Sequence, residues 1–390
     1  MDFSFSEEHE MFRASVRAFA EKRLRPKYQL DDATGEFPWE QARLMGDMGL
    51  LGLGIPETYS GQGLDFMAAG IAAEEIARAD FNCVWLVIHS LTIGHVLTLF
   101  GTEEQRVRWL PRIARGEAVY AICVTEPVGG SDAAAMTMRA VRADGGFVLT
   151  GEKTSISLGS DAAVAVVLAK TNPLERSRGV TAFLVPLDSP GIQRTRLDDL
   201  GNRAIGRSSI FFDEVFVPQD ARLGEEGQGF KLILHEFDCI RAIIALQCLG
   251  AAAASLDETI DYVRQTSAFG KPLARFEGVS FPIAEYSTYV EAARLLAYSA
   301  LWRREVGLPH TKEASMVKGW APRLAVEVIH KCLLFHGHGG FSKELPLQQR
   351  LRDVIGMEIG DGTWEIQQIV IARDLMGRDY LPYDTGGKAP

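Results

Sequence analysis

The chain has 390 residues, of which 47% are hydrophobic and 24% charged, and its formal net charge is −10. This length predicts two or three domains rather than one core. The acidic balance argues against nucleic-acid binding, which needs a basic surface. An odd number of cysteines without a CxxC pair predicts buried free thiols rather than a disulfide framework; they are Cys83, Cys123, Cys239, Cys248 and Cys332.

The N-terminus, MDFSFSEEHEMF, lacks a basic segment followed by an apolar one, so no signal peptide is expected and a cytoplasmic location is predicted. The longest apolar stretch, 243–256, is too short to span a bilayer and predicts a helix packed among other helices.

The first 120 residues are predicted to be helical. Ser6 is a candidate N-cap, because Glu7 and Glu8 follow it and suit the positive end of a helix dipole. Phe12, Val16 and Phe19 then recur at helical spacing.

Short β-type runs, separated by turn residues, follow at 147–150, 163–169, 180–187 and 209–218. Strands without intervening helices predict a β-barrel or sandwich. Long helical patterns return at 229–265, 277–305, 312–335 and 363–376, which predicts a bundle. The predicted domains are therefore 1–120 (helical), 121–225 (β) and 226–390 (helical bundle).

Three segments carry polar groups in a suggestive arrangement. ICVTEPVGGSD (122–132) offers hydroxyl groups and bare backbone, which suit a polar ring edge or a phosphate; an ordinary inter-domain loop is the alternative. GEKTSISLGSDA (151–162) has Ser155, Ser157 and Ser160, which could face a cleft or form a solvated strand face. HEFDCIRAI (235–243) places Asp238 and Arg241 three residues apart on a helix, as a surface ion pair or as a buried functional pair.

The segment GDGTWEIQQ (360–368) places Asp361 between two glycines before a helix-like run. Asp-Gly is a common turn dipeptide and Thr363 is a candidate N-cap, so a structural role alone explains these residues. A carboxylate beside bare backbone could equally act as a base on a closely bound molecule.

Taken together, nine segments in order resemble the acyl-CoA dehydrogenase family over nearly the whole chain: IPETYSGQG, CVTEPVGGSD, EKTSIS, FDEVFVP, GEEGQGF, FDCIR, AFGKPL, HGHGGF, and GDGT with IVIAR. The resemblance implies an α+β fold with an N-terminal helical domain, a middle β-barrel and a C-terminal four-helix bundle. It also implies FAD, an acyl-CoA substrate, an electron-transferring flavoprotein as electron acceptor and a homotetramer.

In that family a carboxylate removes the α-proton of an acyl thioester while flavin N5 accepts a hydride from the β-carbon. The α-proton is weakly acidic, so the base needs a desolvated site and hydrogen bonds to the thioester oxygen. The usual base is a glutamate in a Glu-Gly-Thr turn, and the resemblance makes Asp361 its counterpart here.

The resemblance also assigns binding residues. Those expected to contact FAD are Ile122, Val124, Thr125, Gly130, Ser131, Ser155, Ser157, Phe269, Glu277, Leu334, His338, Thr363 and Glu365. Those expected to contact the acyl thioester are Ser131, Asp238, Arg241 and Gly362.

Several positions depart from the family pattern. Asp361 is one methylene shorter than glutamate, and a shift of about 1 Å in a reacting group can be costly. Ser155 replaces a tryptophan that screens the flavin. Thr266 replaces an arginine that holds the FAD pyrophosphate, Glu277 replaces glutamine and His338 replaces glycine. Some relatives place the base on the bundle helix, where this chain has Ile240.

The aspartate in place of the usual base and Ser155 predict a branched, cyclic or otherwise non-standard acyl group, on CoA or on a carrier protein. Two alternatives stay open. One is a flavin oxidase of a more acidic carbon acid, resembling nitroalkane oxidase, which also uses an aspartate base. The other is a family member without catalysis that serves as an assembly partner.

Overall fold

The computed structural model describes residues 4–63, 65–377 and 380, without the side chains of Leu234, His235 and Cys239. The N-terminal part is helical, as predicted. Its α-helices are α1 Glu7–Phe19, α2 Arg25–Thr34, α3 Trp39–Asp47, α4 Phe66–Ala79, α5 Val84–Phe100 and α6 Glu103–Ala114. Ser6 is the N-cap of α1, since its side chain accepts a hydrogen bond from the His9 backbone N–H at 3.2 Å.

A middle domain of strands follows. They are β1 Tyr120–Cys123, β2 Arg139–Ala143, β3 Gly146–Ser157, β4 Val164–Lys170, β5 Val180–Pro186, β6 Ile192–Arg196, β7 Arg207–Pro218 and β8 Arg222–Leu223. They form one sheet in the order β6-β7-β3-β2-β4-β5-β8, and β1 pairs in parallel with β4. The four predicted runs correspond to β3, β4, β5 and β7. The other strands were not predicted because they are short or, like β2 and β6, rich in arginine.

The C-terminal part is a helical domain. After α7 Gly229–Gln265 comes a small hairpin, β9 Ser267–Ala268 with β10 Lys271–Pro272. The remaining helices are α8 Glu277–Glu305, α9 Thr311–Phe335, α10 Gly337–Gly340, α11 Leu347–Ile359 and α12 Trp364–Met376. The sequence patterns predicted α7, α8, α9 and α12 within one residue, but did not separate α11. The domain limits 1–120, 121–225 and 226–390 stay a prediction.

Helix α7 is by length and composition able to cross a membrane, unlike the shorter stretch that the sequence singled out. Most of its apolar window is nevertheless buried inside the protein, as is usual for the core helix of a helical domain. The interpretation of α7 as a helix packed among other helices therefore depends on its burial and not on the length of its apolar stretch.

Asp353 of α11 joins the three parts of the chain. Its carboxylate accepts hydrogen bonds from Tyr28 Oη at 2.7 Å, Asn82 Nδ2 at 3.2 Å and the Asn202 backbone N–H at 2.6 Å. Such a buried, satisfied network fixes the relative placement of the domains.

The cysteines are free and buried where they are described, namely Cys83, Cys123, Cys248 and Cys332. The prediction for Cys239 falls on a side chain outside the described residues.

Candidate active site

A cavity of about 610 Å³ lies where the β-domain, α5 and the helical domain meet. It brings together most of the residues that the sequence singled out. Those that line it are Ile122, Val124, Thr125, Gly130, Ser131, Ser155, Ser157, Arg241, Asp361, Gly362 and Thr363.

Asp361 lies in the tight turn between α11 and α12. Its backbone is left-handed, with φ 54°, and Gly362 follows with φ 91°. The φ of Gly362 lies in the left-handed region, where a side chain is strained, so glycine is favoured there. Thr363 is the N-cap of α12, as predicted, and accepts from the Ile366 N–H. The turn therefore has a structural role and also presents Asp361 to the cavity.

Lys318 of α9 holds this turn from behind. Its buried ammonium group donates to three backbone carbonyl oxygens, those of Met357 at 3.0 Å, Gly360 at 2.6 Å and Gly362 at 2.6 Å. All three N–H groups of a lysine are thus used on the end of α11 and on the turn. Lys318 fixes the backbone on both sides of Asp361.

The Asp361 carboxylate makes no hydrogen bond or ion pair with the residues that the structure describes. Burial raises its pKa above the ordinary aspartate value, while the charges of Lys318 and Arg241 act in the opposite direction. Burial also lowers the pKa of Lys318 to about 8, against the influence of Asp361, which raises it. The three groups form a charged cluster in which the carboxylate remains available to a bound molecule.

Arg241 is buried, which the sequence left open. Its Nη1 donates to Asp238 Oδ1 at 2.7 Å, and Thr311 Oγ1 donates to Asp238 Oδ2 at 2.6 Å. Arg241 Nε is buried and has no hydrogen-bond partner among the described residues. Burial lowers the pKa of Arg241, although Asp238 and Asp361 raise it. Asp238 itself does not line the cavity, and it orients Arg241.

The β-domain contributes neutral polar groups to the opposite wall. Ser155 has a left-handed backbone, with φ 59°, at an irregularity in the pairing of β3 with β7. Such bulges commonly redirect side chains next to active sites. Ser155 and Ser157 both line the cavity, whereas Ser160 turns away and hydrogen-bonds Ser208 Oγ at 2.6 Å.

A buried ion pair supports the loop that carries Thr125. Lys153 Nζ donates to Glu126 Oε1 at 2.9 Å and to the Val124 carbonyl oxygen at 3.0 Å. Glu126 also accepts from Thr137 Oγ1 and from the Met138 backbone N–H. Burial alone would raise the pKa of Glu126, but Lys153 and the hydrogen bonds from Thr137 together outweigh burial, so the pKa is lowered. The two buried charges behind the loop, those of Lys153 and Glu126, therefore neutralise each other.

Among the described residues, the only other carboxylate that lines the cavity is Asp199, and it is paired with Arg207 at 3.0 Å. Arg352 is likewise paired with Asp32 at 2.6 Å. Asp361 differs from these groups because it has no directly bonded counter-charge.

Five predicted cofactor residues do not line this cavity. Their side chains are exposed, and Phe269 is 96% accessible; they are Phe269, Glu277, Leu334, His338 and Glu365. The assignment of these five residues to FAD therefore stays a prediction. Ile240 is buried and apolar, so it offers no alternative base.

Sequence reasoning missed two polar residues of this region, Lys318 and His89. Each stands in a mainly apolar helical run, ASMVKGWAPRLAV and VWLVIHSLTIG. A lone charged or polar residue on a buried helix face is the signal that could have identified them.

Comparison with known proteins agrees with this architecture. Sequence models of the acyl-CoA dehydrogenase N-terminal, middle and C-terminal domains match residues 6–117, 121–215 and 227–376. The mitochondrial short-chain specific acyl-CoA dehydrogenase of Bos taurus is 38% identical over 374 residues, which cover 95% of this chain and 90% of that protein.

Solved structures give the same result. Butyryl-CoA dehydrogenase from Megasphaera elsdenii is 31% identical, with a TM-score of 0.92 over 96% of this chain and 100% of its own. The prolyl acyl carrier protein oxidase AnaB is 27% identical, with a TM-score of 0.91 over 96% and 100%. This chain belongs to the acyl-CoA dehydrogenase family of FAD-dependent oxidoreductases.

Proposed function

We propose that this protein is an FAD-dependent acyl-CoA dehydrogenase in which Asp361 removes the α-proton of the acyl thioester. The observation that carries the proposal is the unpaired Asp361 carboxylate in a cavity whose other described carboxylate is ion-paired. We further propose a branched, cyclic or otherwise non-standard acyl group, because Asp361 is shorter than the usual glutamate and Ser155 is smaller than the usual tryptophan.

The lining of the β-domain fits a planar, polar cofactor. Thr125, Ser131, Ser155 and Ser157 offer hydroxyl groups, and Gly130 leaves the backbone open to close approach. Together with Ile122 and Val124, these residues would hold the flavin ring, and Thr363 would contact the nucleotide part of FAD. When bound, FAD supplies the acceptor for the hydride that leaves the β-carbon.

The turn offers groups that suit a developing negative charge on the thioester oxygen. The backbone N–H groups of Asp361 and Gly362 donate to no residue that the structure describes. They belong to the turn that Lys318 holds, so they can serve as fixed donors. Arg241, held by Asp238, places a buried positive charge near the base and opposes the rise in the pKa of Asp361 that burial causes.

The test is anaerobic flavin bleaching by a mixed panel of saturated acyl-CoA thioesters. The wild type should lose the oxidised flavin band with at least one thioester, and Asp361→Asn should retain it. Asp199→Asn is a matched control, because Asp199 is the ion-paired carboxylate of the same cavity. A wild type with bound flavin that no thioester bleaches would contradict the proposal.

Partners and location extend the proposal. We propose an electron-transferring flavoprotein as electron acceptor, a homotetramer and a cytoplasmic location, as in the expectation from the sequence. A carrier-bound acyl group is the alternative substrate, and similarity to the acyl carrier protein oxidase supports including carrier thioesters in the panel.

A second function, oxidation of a more acidic carbon acid, is favoured by the serine at position 155. Ser155 lines the cavity, and its small side chain would leave more room beside a bound flavin than a tryptophan. Peroxide formed with a nitroalkane, and no bleaching with thioesters, would decide for it. The non-catalytic alternative requires purified protein without flavin.

A further inference from the structure

His89 is a buried polar residue of the cavity to which the proposed function gives no role. It lies in α5, most of whose side chains are apolar and buried; the buried hydroxyl groups of Ser90 and Thr92 donate to carbonyl oxygens of the same helix. Only 7% of His89 is accessible, and it lines the cavity with Trp85, one helical turn earlier. Burying a polar group is unfavourable unless the group forms hydrogen bonds.

The surroundings determine which ring nitrogen carries the proton. His89 Nδ1 lies 3.1 Å from the carbonyl oxygen of Tyr120, and a carbonyl oxygen only accepts, so Nδ1 is the protonated nitrogen. Burial lowers the pKa of His89 to about 4, so the ring is neutral at physiological pH. The other nitrogen, Nε2, is therefore a hydrogen-bond acceptor.

Nε2 has no donor within the described part of the chain. The indole N–H of Trp85, whose ring packs against that of His89, already donates to Asn202 Oδ1 at 3.0 Å. The His89 ring is also fixed in place, since it packs edge-on against Tyr120 with a centroid distance of 5.4 Å and in a tilted arrangement against Trp85 at 5.8 Å. The cavity thus contains a fixed acceptor among aromatic side chains.

We propose that His89 selects an acyl group that carries a hydrogen-bond donor, a hydroxyl or amino group, on its chain. This inference rests on the proposed acyl thioester oxidation and names the substrate class of the same cavity. A donor-bearing chain pairs with Nε2, whereas a plain alkyl chain removes water from it and leaves it unpaired.

The test compares three thioesters of similar length: 4-hydroxybutyryl-CoA, 4-methoxybutyryl-CoA, which keeps the oxygen without the donor, and valeryl-CoA. In the wild type, kcat/KM for the hydroxy substrate should exceed that for the methoxy substrate about ten-fold. His89→Phe, which keeps the ring shape, should reduce this ratio to about one. His89→Gln, which retains a carbonyl acceptor, should preserve part of it.

His336 provides a matched control. It is also a buried histidine with Nδ1 at 2.9 Å from a backbone carbonyl oxygen, that of Cys332, but it does not line the cavity. His336→Phe should leave the substrate ratio unchanged.

The outcomes separate this inference from the proposed function. A wild type that oxidises all three thioesters with equal kcat/KM overturns the role of His89, whatever the variants do. Equal losses on every substrate in His89→Phe would show a structural role instead. If none of these thioesters and none of the wider panel bleaches the flavin, the proposed function itself fails.

Discussion

The two walls of the cavity bury positive charge in opposite ways. In the β-domain, Lys153 is bonded directly to Glu126, so the ammonium and its counter-ion neutralise each other. In the helical domain, Lys318 is bonded only to backbone carbonyl oxygens, and the carboxylate that raises its pKa, Asp361, is not bonded to it.

This difference distinguishes a charged pair with a structural role from a charged group that can take part in a reaction. A lysine paired directly with a glutamate holds a loop in place, but it leaves no carboxylate free to exchange a proton with a ligand. A cation held by carbonyl oxygens fixes the turn and keeps the nearby carboxylate free, which is what a base needs. We infer that the wall formed by the β-domain binds a neutral polar ring and that Asp361, in the wall formed by the helical domain, accepts the proton.

A raised pKa alone does not identify the base. Burial also raises the pKa of Asp80 to about 7 and the pKa of Asp353 to about 6. Both carboxylates accept hydrogen bonds inside the protein, and neither lines the cavity. The position of Asp361, rather than its pKa, distinguishes it.

The largest expected effect is on the rate of flavin reduction, when the carboxylate in the wall of the helical domain is removed. Asp361→Asn should slow flavin reduction by about 10³-fold, the usual contribution of a general base, while the bound flavin and the melting temperature change little. Stopped-flow absorbance gives the rate, and Asp361→Glu, which restores a carboxylate, should recover part of it. A variant that loses flavin together with rate would place Asp361 among the structural groups.

The next largest effect is on stability, when the ion pair in the wall of the β-domain is broken. Lys153→Met leaves the Glu126 charge buried without its partner, and such a loss costs about 3–5 kcal/mol of unfolding free energy. Chemical denaturation should show this loss together with weaker flavin binding. The pH dependence of flavin reduction in the remaining holoenzyme should match that of the wild type.

Lys318→Met tests the coupling of the turn to the base. Asp361 must be ionised to accept a proton, so the rate rises with pH through its pKa. Removing the Lys318 charge raises that pKa further, so the acid limb of the rate profile should move to higher pH. Loosening the turn should also lower the rate on the order of ten- to a hundred-fold. An unmoved acid limb would contradict the electrostatic part of the account.

The smallest effect concerns a buried carboxylate outside the cavity. The raised pKa of Asp80 means that the folded state binds the extra proton between about pH 4 and 7, so stability falls as pH rises through this window. Asp80→Asn should flatten this part of the melting-temperature profile by a few degrees. The acid limb of flavin reduction should stay in place, which would sharpen the distinction between buried carboxylates in general and the base.

The sequence allowed much of this arrangement to be predicted. Local signals identified the Asp361 turn and the Thr363 N-cap, because glycine spacing and capping residues act within a few positions. The order of the motifs predicted the fold. The burial of Arg241 and the turning away of Ser160 could not be decided, since both depend on contacts between distant segments.

Lys318 and Asp353 illustrate the same limit. Lys318 is 43 positions from Asp361 in the chain, yet it holds the carbonyl oxygens beside it. Asp353 binds groups from the other two domains. Nothing in the local pattern of either segment indicates which distant backbone or side-chain group will be its partner.

The most direct test of the central claim is α-proton exchange. The oxidised holoenzyme is incubated anaerobically in D₂O with a thioester that bleaches its flavin, and deuterium at the α-carbon of the recovered thioester is measured by mass spectrometry. The account predicts exchange with the wild type and none above background with Asp361→Asn. Undiminished exchange in the Asp361→Asn holoenzyme would show that another group removes the proton.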